Sequence, residues 1–248
     1  MKLQRLLSYT RKALDTYNMI KPHDKIAIGI SGGKDSLAML YALSHIRKFY
    51  PVPFELVAIC VSLGFEDFDL SEVQSLCIEL DVPFHIVQTD IGKIIFDERK
   101  ESNPCSLCSK LRKGALNNKA LELNCTSIAL GHHKEDIVET MMMSLFFEGR
   151  FKTFEPVTYL DRTKLTSIRP LLFVPEREII GFTHLYNTPV VISPCPANGH
   201  TKREEMKDLL SDLNHKMPGV SNRMFKAILT SGFDGWSHDG PIKGYTKN

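Results

Sequence analysis

Lys25 to Leu40 reads KIAIGISGGKDSLAML, an apolar β-branched run that breaks into a serine, two glycines, a lysine and an aspartate before a helical pattern follows. No other stretch constrains the fold as much. A buried strand, a small-residue turn and a helix in succession open an α/β unit. The unpaired backbone N–H groups of the first helical turn, with the positive end of the helix dipole, then stand at the end of a strand, which makes an anion site. Gly32 and Gly33 let a ligand approach the backbone closely. Two common phosphate loops are excluded by register. A Walker loop, G-x-x-x-x-G-K-[ST], needs glycine at 28 and serine or threonine at 35, where the chain has Ile28 and Asp35. A dinucleotide G-x-G-x-x-G starting at Gly29 meets Ser31 two residues on.

The rest of the chain repeats the alternation. ELVAICVSL (55–63), PFHIVQ (83–88) and TSIALGH (126–132) read as further buried strands. Between the strands lie the helical patterns KDSLAMLYALSHIRKF, SEVQSLCIEL and SLCSKLRKGALNNKALEL; in the second, Val73, Leu76, Cys77 and Leu80 share one face. The fold class is therefore α/β, a parallel sheet with helices on both faces. Beyond residue 150, KLTSIRPL reads as a strand, PEREIIGFTHLY as a helix with Pro175 in its first turn, VVIS as a short strand, and 201–230 as wholly helical. Three regions follow: an N-terminal helical segment over 1–22, an α/β domain over 23–193 carrying a C-x-x-C insertion, and a C-terminal helical segment over 194–248. The tail DGWSHDGPIKGYTKN reads as a mobile end. No run of about 18 apolar residues exists, and charges interrupt every short apolar run of the N-terminus. The expectation is a cytoplasmic protein with no membrane partner.

Net charge is only +2, but its distribution is uneven. Residues 1–25 hold Lys2, Arg5, Arg11, Lys12, Lys21 and Lys25 against Asp15 and Asp24. Residues 99–119 hold Arg99, Lys100, Lys110, Arg112, Lys113 and Lys119 against Glu101 alone, whereas 60–98 hold nine acids against Lys93. Such asymmetry points to a basic face for a polyanion.

Of six cysteines, Cys60, Cys77 and Cys125 read as core. Cys105 and Cys108 form a C-x-x-C after Pro104 at a helix start, where the helix dipole is expected to lower thiol pKa values. The pair alone is compatible with a redox couple, a zinc half-site or a cluster half-site. With no second C-x-x-C, a Cys₄ zinc ribbon is excluded. Cys195, between Pro194 and Pro196, reads as a third presented thiolate. His132 and His133 follow a strand at the edge where α/β sheets bind ligands. Asp136 and Glu139, three apart, share a helical face opposite Ile137, Met141 and Leu145. The Met141–Met143 run reads as core.

The turn from Ser31 to Ser36 resembles S-G-G-x-D-S, the pyrophosphate loop of ATP-pyrophosphatase enzymes. Taken with P-C-x-x-C about seventy residues on, then G-H-H-x-x-D-x-x-E-T from Gly131 and a late P-C, the chain resembles the TtcA-like tRNA 2-thiocytidine synthetases over roughly residues 5–230. The resemblance implies an adenine nucleotide alpha hydrolase-like fold. It implies that ATP is held by Ser31, Gly32, Gly33, Lys34, Asp35 and Ser36 together with Gly131, His132, Asp136 and Glu139. Asp35 would help hold Mg²⁺. Cys105, Cys108 and Cys195 would carry a [4Fe–4S] cluster with one iron open, zinc being the alternative with His132, His133 or His200 as fourth ligand. The implied reaction adenylates the C2 oxygen of a cytidine, position 32 in the family, and releases pyrophosphate; sulfur from the cluster then displaces AMP, giving 2-thiocytidine. Lys34, Asp35 and the three cysteines would be the catalytic set. Lys2, Arg5, Arg11, Lys12, Lys110, Arg112 and Lys113 would bind tRNA, an upstream donor such as a cysteine desulfurase would supply sulfur, and a homodimer is compatible. The alternatives are thiolation of another tRNA base or a small-molecule carbonyl, and a non-catalytic iron–sulfur or ATP-binding sensor. One departure is Glu135, where relatives often have aspartate.

Overall fold

Alternation along the central strands sorts their side chains onto two faces, and both faces are covered. In the computed structural model, which describes residues 1–65, 67–99, 104–197, 201–232 and 235–238, β1 (Asp24–Ile30) turns Ile26, Ile28 and Ile30 into one core and Ala27 into the other. β2 (Phe54–Ser62) does the same with Leu56, Ala58 and Cys60 against Val57, Ile59 and Val61. A strand buried on both sides needs a continuous apolar run, which is why these segments lack a polar alternate.

The first core is closed by α1 (Leu3–Thr16), α2 (Lys34–Ile46), α3 (Ser71–Glu79), α6 (Lys134–Glu148), α7 (Glu176–Tyr186), α8 (Lys202–Lys216) and α9 (Val220–Thr230). The second is closed by α4 (Ile91–Lys93), which runs into a π-helical stretch Ile94–Glu98, and by α5 (Pro104–Glu122). With β3 (Phe84–Gln88), β4 (Ser127–Ala129), β5 (Val157–Leu160) and β6 (Leu165–Ile168), the sheet order is β3-β2-β1-β4-β6-β5. All neighbours are parallel except β5 against β6. The chain leaves β1 toward β2 and returns on its other side as β4, so a topological switch point lies between the carboxyl ends of β1 and β4. That is where ligands bind in such sheets.

Several expectations are corrected. The fourth strand is short, and Leu130–His133 form a loop that leads into α6. VVIS is not a strand: Val191 N–H donates to the Gly32 carbonyl at 3.0 Å, which pins an extended strap onto the glycine turn. Residues 201–230 are two helices, parted where Gly219 adopts a φ of +81°. KLTSIRPL does form a strand, β6, but its hairpin partner β5 and the α4–π segment had no periodicity long enough to announce them. The tail is docked where it is described. Trp236 is 2% exposed and meets Tyr17 and Phe225 edge-on, at 6.1 and 6.2 Å between centroids. Residues 239–248, the rest of that expected mobile end, lie outside the described residues, as do Lys100, Glu101 and His200. Among the described residues, no helix is long and apolar enough to cross a membrane.

Because Trp236 fills the space between α1 and α9, Trp236→Ala should cost about 3 kcal/mol and lower the thermal midpoint by roughly 8 °C. Circular dichroism melts check this; a shift no larger than the error of the midpoint would mean the tail contributes no packing.

Candidate active site

The turn after β1 is tied to itself. Ser36 Oγ accepts from Ser31 N at 3.1 Å and donates to the Gly33 carbonyl at 2.9 Å, while Ser31 Oγ accepts from Gly33 N at 3.3 Å. Gly32 sits at φ +81°, a conformation that disfavours any side chain. The position before α2 is Gly33, so no side chain caps the helix and its first N–H groups stay available to an anion. On the other side Gly131 comes so close to α2 that a Cβ there would lie 3.2 Å from both Asp35 C and Ser36 N. Its glycine is a requirement of loop packing.

Beside the turn lies a dense charge network. His133 N–H donates to Asp136 Oδ2 at 2.9 Å, a carboxylate closing the start of α6. The His133 ring lies 3.3 Å from Glu135, 3.4 Å from Asp136 and 3.9 Å from Asp35. Burial disfavours its charge, but Glu135, Asp136 and Asp35 outweigh that and lift its pKa to about 9. Asp136 is correspondingly held low: burial opposes its charge, but His133 more than compensates. Burial, helped by Asp136, pushes Glu139 up to about 7 despite Arg203 at 3.6 Å. Glu135 Oε2 accepts from Glu176 N at 2.8 Å and so caps α7, a use for the departure from aspartate. Lys34 Nζ lies 3.1 Å from Asp35 and 3.1 Å from Glu176, whose carboxylate also holds Lys207 at 2.7 Å.

The turn opens into a cavity of about 700 Å³ at the switch point. Ser31, Asp35, Ser36, Gly131, His132 and Asp136 are on its wall, and so are Cys105, Cys108, Arg112, Lys113 and Cys195. α5 brings its cysteine pair to the cavity by starting there at Pro104. The strap pinned by Val191 brings Cys195. Gly32, Gly33, Lys34 and Glu139 are not on this wall; Lys34 faces Glu176 instead. The expected lowering of the cysteine pKa values by the helix dipole is overturned. Burial and the neighbouring thiols raise both, Cys195 adding to each, and Arg112 only partly opposes this at Cys108. Cys60, Cys77 and Cys125 are buried, with thiols pushed up by burial to about 11, 12 and 11.

Two donor sets on this wall bear on a bound metal. Asp35 Oδ1 is buried without a hydrogen-bond partner, a hard oxygen of the kind magnesium takes. The three soft thiols sense one another electrostatically and suit iron–sulfur ligation. Among the described residues, no three His, Cys, Asp or Glu groups are grouped as ligands of one metal ion.

The basic residues divide. Lys110, Lys113 and Lys2 are exposed. Arg5 pairs with Glu178 at 3.0 Å, Arg11 with Asp15 at 3.3 Å, and Lys12 lies over the Phe173 ring at 4.8 Å. Sequence reasoning missed Phe154, Arg169 and Glu176. Phe154 stacks on His132 with centroids 4.1 Å apart and an 18° angle, with Arg169 5.0 Å and Arg203 5.7 Å from its centroid. Thr201 caps α8 by accepting from Glu204 N at 3.2 Å, which fixes Arg203 against Asp136 at 3.2 Å. Phe154 lies fourteen residues beyond the G-H-H-x-x-D-x-x-E-T block, in the stretch to Pro156 that continues the family resemblance, and no periodicity marked it.

A family profile described as the PP-loop domain matches residues 5–207. A tRNA-cytidine(32) 2-sulfurtransferase of Pelobacter propionicus is 36% identical over 228 residues, 91% of this chain and 85% of that one. The protein of that name from Geobacter sulfurreducens is 37% identical over 220 residues, 88% and 86% of the two chains. Among solved structures, the U34-tRNA thiolase NcsA from Methanococcus maripaludis with its [4Fe–4S] cluster superposes at a TM-score of 0.72 with 28% identity, over 89% of this chain and 76% of that chain. An NH₃-dependent NAD synthetase from Campylobacter jejuni shares the fold alone, with a TM-score of 0.50 and 15% identity over 97% and 99% of the two chains.

Glu176 gives the network a pH signature. Burial would raise its pKa, but Lys207 and Lys34 hold it at about 2 instead of 4.5. A depressed folded pKa contributes stability that is present above 4.5 and lost as pH falls toward 2. Glu176→Gln should cost about 2 kcal/mol at pH 7, roughly 5 °C, and the gap to wild type should close on acidification. A gap that stays constant from pH 7 to pH 3 would mean the pair contributes nothing.

Proposed function

Since the chain belongs to the PP-loop family of tRNA-cytidine(32) 2-sulfurtransferases, we propose that it thiolates tRNA by adenylating the C2 oxygen of a cytidine and then replacing that oxygen with sulfur. The observation that carries this reading is that one cavity is lined both by the pyrophosphate-type turn and by all three thiols outside the core. An ATP activation step and a thiol-borne sulfur step thus share one chamber. A carbonyl-type oxygen on a base is a poor leaving group, and AMP is a good one.

The turn's free N–H groups would hold the β- and γ-phosphates. Asp35 would hold Mg²⁺ through its unpartnered Oδ1, and the metal would neutralise charge on the departing pyrophosphate. Lys34 reaches that pyrophosphate only by exchanging Glu176 for it. Gly131 would let the β4–α6 loop close over the α-phosphate side, with His132 and Asp136 facing the same space. Cys105, Cys108 and Cys195 would hold a [4Fe–4S] cluster, as the thiolase neighbour's name records for that protein; when bound, the cluster supplies the sulfur, itself replenished by a donor such as a cysteine desulfurase. Arg112 and Lys113 add positive charge on the same wall, where an RNA backbone would approach. Anticodon-loop bases are reachable there without melting a duplex.

Anaerobically purified protein should contain iron and acid-labile sulfide in equal amounts and absorb visible light, and Cys195→Ala should lose most of both. A colourless, zinc-containing protein would remove the sulfur-carrying cluster. Pyrophosphate release should depend on added tRNA; release that ignores tRNA, or none at all, points to a nucleotide-binding sensor. Reversing Lys110 and Lys113 to glutamate should weaken tRNA binding about tenfold or more at low salt and reduce its salt dependence, with ATP binding unchanged. Unchanged tRNA affinity would place the RNA on another face.

A further inference from the structure

The cavity has two unlike ends. Toward β2 its wall is Ile59, Val61 and Leu63, while α5 adds Leu116 beside Arg112, Lys113 and Asn117. Toward β4 and β6, polar groups stand among Ile128, Leu130 and Leu160. There the His132 ring stacks on the Phe154 ring at 4.1 Å, and the Arg169 guanidinium lies 5.0 Å from the Phe154 centroid. Arg169 is 7% exposed and fixed by donating from Nη1 to the Glu155 carbonyl and to Thr158 Oγ1. Its Nε, like Ser167 Oγ and His132 Nδ1, is shut from solvent and has no hydrogen-bond partner. All three side chains stand on the cavity wall. An unmade buried hydrogen bond is costly, and three such atoms belong to side chains on this one wall, which makes it the place to look for a ligand that completes them.

The sheet order separates two heterocycles. The turn at the end of β1 has β2 on one side and β4, then β6, on the other. With pyrophosphate on the turn, the apolar β2 side suits the adenine of ATP, which backbone groups can read. The β4–β6 side is left for a second planar ring. We propose that this corner is the pocket for the acceptor base, which lies edge-on to the Arg169 guanidinium, takes its Nε–H at the Watson–Crick edge and has the His132–Phe154 stack as its side wall. Bases drawn out of an RNA loop are held by aromatic and guanidinium groups and by bonds to that edge. A fixed donor at N3 suits cytosine, whose N3 accepts, and opposes uracil, whose N3 carries a hydrogen. Arg169 is thereby a specificity residue. Ser167, on the same strand face two residues earlier, can accept from the cytosine amino group. This assignment rests on the tRNA-thiolation reading above.

The test measures binding of an RNA hairpin that carries cytidine, uridine or an abasic site at the target nucleotide. It uses anaerobically purified protein with a non-hydrolysable ATP analogue present. Wild type should favour cytidine over uridine and over the abasic hairpin by on the order of tenfold. Arg169→Lys should erase the cytidine–uridine preference. Phe154→Leu should bring the cytidine hairpin toward the abasic affinity, with the affinity for the ATP analogue unchanged. The wild-type comparison stands even if a variant fails to fold. Wild type that binds cytidine and abasic hairpins equally overturns the pocket, and so do variants that weaken the ATP analogue while keeping the base preference. The thiolation reading is judged separately, by thiolated nucleosides in tRNA after turnover. Their absence sinks that reading even where the hairpins reveal a base preference.

Discussion

Everything at the site hangs on how closely two other loops approach the Ser31–Ser36 turn. Gly131 presses against the first turn of α2 at a distance that leaves no room for a Cβ to sit at ease. From the opposite side Val191 bonds to the Gly32 carbonyl, and a Cβ on Gly32 would lie 3.1 Å from Val191 Cβ. The turn is therefore clamped between the β4–α6 loop, which presents His132 and Asp136, and the strap that ends in Cys195. The serines satisfy the turn's own polar groups, so the outward N–H groups stay unspent. Both glycines are needed for the packing as well as for any ligand.

Electrostatics complete the frame. Asp35, Glu135, Asp136, Glu139 and Glu176 gather around α6 and α7 with His133, Lys34, Arg203 and Lys207 between them. Carboxylates this close cannot all be ionised in a partly buried space without cations. His133 is charged for that reason, and Glu139, the most enclosed acid, sits near neutrality. Exchanging such a network whole for apolar residues need cost little, whereas removing one partner leaves the other charge uncompensated. What the ion pairs do is hold several titratable groups in fixed positions beside the turn.

The architecture was legible because its signals are local. β1, β2 and α3 announce themselves by period, and the turn by glycine and serine chemistry. That Cys195 shares a cavity with Cys105 and Cys108 follows from no periodicity; only the resemblance joined residues ninety apart. Lys34 shows the limit of a motif, since its partner Glu176 lies on a helix whose docking the motif does not encode. Phe154 and Arg169 were singled out by no period or motif; the fold brings Phe154 onto His132 and Arg169 against Phe154. The cysteine pair went the other way from the helix-dipole rule, with burial and the neighbouring thiols the raising causes. Trp236 was hidden by its setting, a glycine-rich tail that looks unstructured and yet supplies an anchor for α1 and α9.

The strap that carries Cys195 reaches the turn through the Val191–Gly32 backbone hydrogen bond, four residues upstream of the thiol. One short extended segment thus shapes the glycine turn at one end and presents a thiol to the cavity at the other, so a substitution that displaces it would disturb both at once.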